Sequence, residues 1–299
     1  MALFKKKTTL VHHITYMGIM AAINLIFIIL ATFIPPLMFL LILLLPFASA
    51  VVSYYCLKRY YIIYAVATIG LCLLCSFNIS DTIFYVAPAV ISGFVIGVLL
   101  EQKVHPFWLV LSSTIINAAL TYAFIPLINL ISNTDIVLSL LKIFSLQDFT
   151  YRNELVYLFI FFVSLMQCAL SHFIILSDAK KMGIEINTRI LYFEPYILGL
   201  ELSVTIAIAL AFFYLPLSLV FICISLYFAS FLLLDLIFSK KILVYILLAI
   251  STLVMIIIFA IFYKSLSQPY GIVLTVIFPL TIGVISFLKN CLLKYPSNI

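Results

Sequence analysis

The chain has 299 residues, of which 67% are hydrophobic and only 9% charged, with a mean hydropathy of +1.35. This composition excludes a soluble globular domain and describes an integral membrane protein. The net charge of +6 calls for no nucleic-acid partner, because no basic stretch with interleaved aromatics stands in a soluble segment; it reads as topology and attraction to the lipid bilayer.

A hydrocarbon core about 30 Å thick takes roughly 20 apolar residues per helix, and only helices or closed barrels satisfy their backbone groups there. The apolar runs are continuous and show none of the alternating segments, about ten residues long, of a barrel. The expected fold is all-α, a polytopic helical membrane protein of about ten spans. They lie near 14–34, 37–57, 61–78, 82–100, 106–131, 154–176, 196–214, 217–238, 242–263 and 270–288. The first follows Lys5, Lys6 and Lys7 in the manner of a secretory signal. Its apolar region is too long for a signal core, so it is read as an uncleaved span. Only Pro35-Pro36 parts the first two spans, and only Leu215-Pro216 parts the seventh and eighth.

Basic residues flanking short loops favour the cytoplasmic side. With the N-terminus inside, the inner set comprises Lys5, Lys6, Lys7, Lys58, Arg59, Lys103, Lys180, Lys181, Arg189, Lys240, Lys241, Lys289 and Lys294, and the outer set only Lys142, Arg152 and Lys264. These account for all 16 Lys and Arg. Ten spans with both termini cytoplasmic fit this bias, and losing either proline hairpin would put basic clusters outside. The expected organisation is a six-helix half at 1–176, a cytoplasmic connecting loop at 177–195 and a four-helix half at 196–299, in a bacterial plasma membrane.

Two carboxylates stand inside apolar runs. Glu201 lies about six residues into the seventh span and is expected to face the bundle interior, and Asp235 lies near the inner end of the eighth. Charge within the hydrocarbon is costly and usually faces a bundle interior or water. At a common depth the two can share a proton and serve an ion pathway. The plainer alternative pairs Glu201 with a loop cation such as Arg189 and lets Asp235 reach the inner interface beside Lys240. Asn24, Asn117 and Gln167 offer further polar contacts, either as cavity lining or as hydrogen bonds between helices.

Small residues mark two seams, Gly18 with Ala22 in the first span and Gly93 with Gly97 in the fourth. Such seams let backbones approach closely in lipid, within the chain or against another subunit. The fourth span also carries Pro88, a candidate break of the kind that lines transporter sites. The outer loop from Ser132 to Glu154 contains IVLSLLKIF, which suits a helix lying on the membrane surface.

Six cysteines and four histidines make no metal set. Cys72 and Cys75 form a CxxC inside a span, where they read as small apolar residues, and the histidines read as anchors near the inner interface. There is no P-loop, GxSxG or HExxH. No cofactor is expected, and an enzyme acting on lipid through Glu201 and Asp235 lacks a nucleophile. An ATP-driven role requires a separate ATPase.

The pattern Tyr16-Met-Gly-Ile-Met-Ala-Ala22, then Leu45-Pro46-Phe47, then Ala87-Pro88-Ala89 with Gly93 and Gly97 and the exit Glu101-Gln102-Lys103, resembles the YybS-like family of bacterial polytopic membrane proteins. Its N-terminal part is similar to substrate-binding S components of energy-coupling-factor transporters. The resemblance covers roughly residues 14–103. It implies a six-helix core with both termini inside, a first-helix seam that meets a membrane coupling subunit, and an external site for a vitamin-like or metal substrate. Gly18 and Ala22 fall at that seam. The chain departs from the pattern in its minimal first outer loop and its four additional spans. The leading expectation is a transporter-like, non-catalytic protein that binds a small-molecule solute and works with a coupling subunit and ATPase. The alternative is a membrane scaffold or regulatory partner.

Overall fold

The structure, a computed structural model, describes residues 6–34, 42–75, 79–133, 135–143, 152–184, 193–238, 242–262 and 275–294. Among these residues all regular structure is helical. Among the described residues, six helices are long and apolar enough to cross a membrane: Leu10–Ala31, Lys58–Cys75, Thr82–Glu101, Pro106–Ser132, Asn153–Met182 and Leu215–Ile237. Helices also stand at the other four expected positions, that of the second being the 11-residue Leu45–Tyr55. Pro35-Pro36 and Arg189 lie outside the described residues.

The chain divides into two compact units, one of Met1–Ser139 with Ile160–Ile190 and the other of Leu140–Phe159 with Leu191–Ile299. Residues 140–159 therefore group with the C-terminal unit.

In the first unit, α1 (Leu10–Phe33) is opened by Thr9, whose hydroxyl accepts from the His12 amide at 3.4 Å, satisfying one of the free amides of a helix start. Then come α2 (Leu45–Tyr55), α3 (Tyr61–Cys75) and α4 (Ala87–Glu101). Between α3 and α4 the chain takes a π-helical turn over Thr82–Val86. Pro88 explains it: the ring has no amide to donate and crowds the carbonyl four residues back, so the ladder widens ahead of it.

Helix α5 (Pro106–Ser132) begins with Pro at its first position, where a missing amide costs nothing, and Asn133 closes it at φ 51°. The connection after α5 holds the short α6 (Ile136–Ile143), whose first turn is capped by the Asp135 carboxylate, accepting from the Val137 and Leu138 amides at 3.0 and 3.2 Å. Helix α7 (Arg152–Met182) has 31 residues, roughly 46 Å at 1.5 Å per residue, and so outruns the hydrocarbon. Its last turn carries Lys180 and Lys181, which suit the negative end of the helix. Gly183 at φ 66° terminates it, with the Ile184 amide returning to the Ala179 carbonyl at 3.0 Å in the manner of a Schellman cap.

The second unit holds α8 (Phe193–Ala211), α9 (Leu215–Phe238), α10 (Ile242–Phe262) and α11 (Ile277–Lys294). The chain turns between α8 and α9 at 212–214, ahead of Pro216, and the Ser218 hydroxyl ties α9 back to the Ala207 carbonyl at 2.7 Å. Gly199 permits close packing here, since a Cβ on it would meet the Phe228 ring at 2.8 Å.

Candidate functional site

Two small-residue seams lie in the first unit, and they differ in occupancy. Along α4, a Cβ on Gly93 would lie 2.5 Å from the Ser49 Cβ and 2.7 Å from the Pro46 carbonyl oxygen. On Gly97 it would lie 2.5 Å from the Ala50 carbonyl oxygen and overlap Ser53. This seam is closed by the chain's own α2, and the Ser53 hydroxyl donates across it to the Phe94 carbonyl at 2.9 Å. On α1 the opposite holds. Gly18 and Ala22 are exposed, and a Cβ on Gly18 would meet no atom of the described residues within 4 Å. Val11, Ile14, Ile19 and Ile26 are exposed around them, with exposed Thr15 and His12 toward the N-terminal end, so the notch sits in a largely apolar helix face.

The opposite face of α1 reaches into the core. Asn24 is fully buried, and its amide donates to the Ser49 hydroxyl at 3.3 Å and the Tyr64 hydroxyl at 3.2 Å, with those two hydroxyls 3.1 Å apart. Three helices, α1, α2 and α3, meet at this knot. A second link joins α5 and α7: the Asn117 amide donates to Gln167 Oε1 at 2.7 Å, and Gln167 Nε2 donates to the Ile42 carbonyl at 3.2 Å. Both side chains are buried. Tyr55 on α2 also donates to the Met182 carbonyl at the end of α7.

One end of this unit is gathered by charge. Glu101 at the end of α4 accepts from Lys6 at 2.6 Å and lies 3.0 Å from the Lys58 ammonium. The hydrogen bond to Glu101 holds the Lys6 ammonium above the ordinary lysine range. Lys7 lies 4.3 Å from the centre of the Tyr16 ring, a cation–π arrangement. These contacts tie the N-terminal segment and the 56–60 turn to the exit of α4.

No family model, curated protein or solved structure matches this chain. The site is therefore built from its own residues alone.

In the second unit the two carboxylates part company. Asp235 on α9 lies 2.5 Å from the Lys289 ammonium on α11, and both side chains are largely buried, at 13% and 8% exposure. Lys289 also donates to the Asp235 backbone carbonyl at 3.3 Å. Lys240, the cation that the sequence places beside Asp235, lies outside the described residues. Glu201 does not face the interior as expected; it is exposed. The reason is helical phase. Ile197, Leu200, Val204, Ala207 and Ala211 form the buried stripe of α8, which turns Leu198, Glu201, Leu202 and Thr205 outward.

Sequence reasoning missed Lys289 as the partner of Asp235, because the two stand 54 positions apart and Lys289 reads as one more inner-face cation. It missed Ser49 and Tyr64 as partners of Asn24 for a similar reason: hydroxyls in apolar runs carry no spacing signature. A polar residue within each of several spans was the available signal.

Proposed function

We propose that this chain is a non-catalytic, transporter-like subunit of a bacterial plasma membrane, built to dock another membrane subunit on the exposed face of α1. The observation that carries this reading is the contrast between the two seams. Gly93 and Gly97 are filled by α2, whereas Gly18 and Ala22 stand open in an apolar face. With no hydrophobic force between helices in lipid, close backbone approach at small residues is a main source of association.

The docked partner in this reading is the membrane coupling subunit of an energy-coupled uptake system with its own ATPase, and the solute is a small molecule. Support comes from the resemblance of residues 14–103 to the YybS-like family and S components, which implies a first-helix seam at Gly18 and Ala22. In this reading the chain has ten spans with both termini cytoplasmic, supported by the bias of the basic residues and by helices at the expected positions. Asn24, Asn117 and Gln167 are the polar residues of the solute-binding unit. Asp235 in this account anchors α11 to α9 through Lys289, and Glu201 faces outward.

A scaffold or regulatory partner is the second reading. It is favoured by the burial of Asn24 and Asn117 and by their bonds to neighbouring helices, which suit a rigid body presenting one docking face. Purification from native membranes in mild detergent, with mass spectrometry of proteins and small molecules, separates the two. Recovery of a coupling subunit, ATPases and a solute supports transport, and recovery of other membrane proteins alone supports the scaffold.

A further inference from the structure

The contact between α5 and α7 contains more polar groups than its own hydrogen bonds consume. Hydroxyls on these helices ordinarily turn back to a carbonyl one turn earlier: Ser113 donates to Leu109 at 2.8 Å, and Thr121 donates to Asn117 at 2.9 Å. Thr114 and Ser171 do not, although both are fully buried. His172 is buried to the same degree, at 1% exposure, and neither ring nitrogen has a partner among the described residues.

Helical spacing brings these groups to one level of the α5–α7 contact. Cys168 on α7 lies against Ser92 of α4 and against Ser113, Thr114 and Asn117 of α5. Ser171 and His172 follow it by three and four positions, on the same helical face. Thr114 precedes Asn117 by three, which the Asn117–Gln167 bond sets level with them, and among the described residues Thr114 has only the Cys168 thiol to bond, a weak acceptor. The side chains against Cys168 include the small Ser92, Ser113 and Thr114. Residues 107–132 of α5, 155–177 of α7 and 87–100 of α4 carry no Asp, Glu, Lys or Arg.

Buried donors and acceptors in proteins find partners, because leaving them without one forfeits their hydration for no return. We propose that Thr114, Ser171 and His172 form a binding site for a small uncharged molecule that both donates and accepts hydrogen bonds, a hydroxyl compound of which water is the smallest member. A neutral imidazole supplies one donor and one acceptor whichever tautomer it takes, and each hydroxyl supplies one donor and two acceptor sites. The lack of a charged side chain on the three helix segments favours an uncharged occupant over an ion. The site stands on groups remote in character from the α1 notch, so it holds or fails independently of docking.

The test uses the full chain in lipid bilayers with ring-15N histidine, His172 being assigned by His172→Asn. Magnetisation transfer from water protons, and separately from protonated glycerol in deuterated water, is followed to the His172 ring, with exposed His12 as the reference. Transfer from either source on the timescale of His12 supports the site. Transfer from glycerol identifies a solute site, and transfer from water alone identifies a bound-water site. Thr114→Val and Ser171→Ala then each lower the unfolding midpoint, because each removes a group that holds the occupant. Absence of transfer from both sources overturns the proposal, as does an unchanged or raised midpoint in both variants, the behaviour of hydroxyls that bond nothing.

Discussion

Lys289 Nζ lies 2.5 Å from the Asp235 carboxylate, joining helices α9 and α11 through two side chains that are both largely buried. A buried ion pair contributes little net stability over an apolar pair, but breaking it strands a charge. Lys289→Met is expected to destabilise the protein by about 3–5 kcal/mol, and Asp235→Asn in the same background to recover much of that loss. Thermal unfolding in detergent of the two single variants and the double variant checks this. Equal and additive losses would show that the pair is not coupled.

The two glycine seams call for opposite outcomes. Gly97→Ala places a methyl against Ala50 and Ser53, and overpacking of this kind costs about 1–3 kcal/mol. Gly18→Ala places a methyl in open space and leaves the stability of the isolated chain within about 0.5 kcal/mol. Midpoints from chemical or thermal unfolding of the purified protein distinguish the two.

Asn117 and Gln167 bond one another across α5 and α7. Hydrogen bonds between membrane helices contribute about 0.6 kcal/mol on average and up to about 1.7 kcal/mol. Gln167→Leu is expected to fall near the upper end, since it also releases the Ile42 carbonyl. Asn117→Leu added to it costs less than it does alone, which a double-mutant cycle measures.

Glu101 holds Lys6 and Lys58 in a partly exposed cluster. Such pairs contribute no more than about 1 kcal/mol each and weaken with salt. Glu101→Gln therefore loosens the N-terminal segment more than it destabilises the fold. Faster protease cleavage before α1 is the expected result, with the difference from the unaltered chain shrinking as salt rises. The raised ammonium of Lys6 keeps its share of the contact intact through neutral pH, to be lost only as pH climbs past the lysine range.

The helices themselves were legible in the sequence, because backbone satisfaction in lipid leaves a long apolar run no other structure. Prolines were legible as well: Pro88 lies just after the π-helical turn, and Pro216 opens α9. The seam at Gly93 and Gly97 could be seen, but the helix that fills it could not. Glu201 shows why. In a soluble helix the apolar stripe identifies the buried side, whereas here Leu198 and Leu202 outside are as apolar as Leu200 and Val204 inside, so sequence leaves the phase of α8 open. Asp235 and Lys289 meet only through tertiary packing, and no local spacing encodes that.

The most direct test of the account is photocrosslinking from α1 in native membranes, with a benzophenone residue at Ile14 or Ile26, which flank the notch and leave Gly18 and Ala22 intact. The account predicts one discrete adduct with a membrane coupling subunit, lost when Gly18 becomes Leu although the variant folds and inserts normally. Adducts with lipid alone, or a protein adduct unaffected by Gly18→Leu, would contradict it.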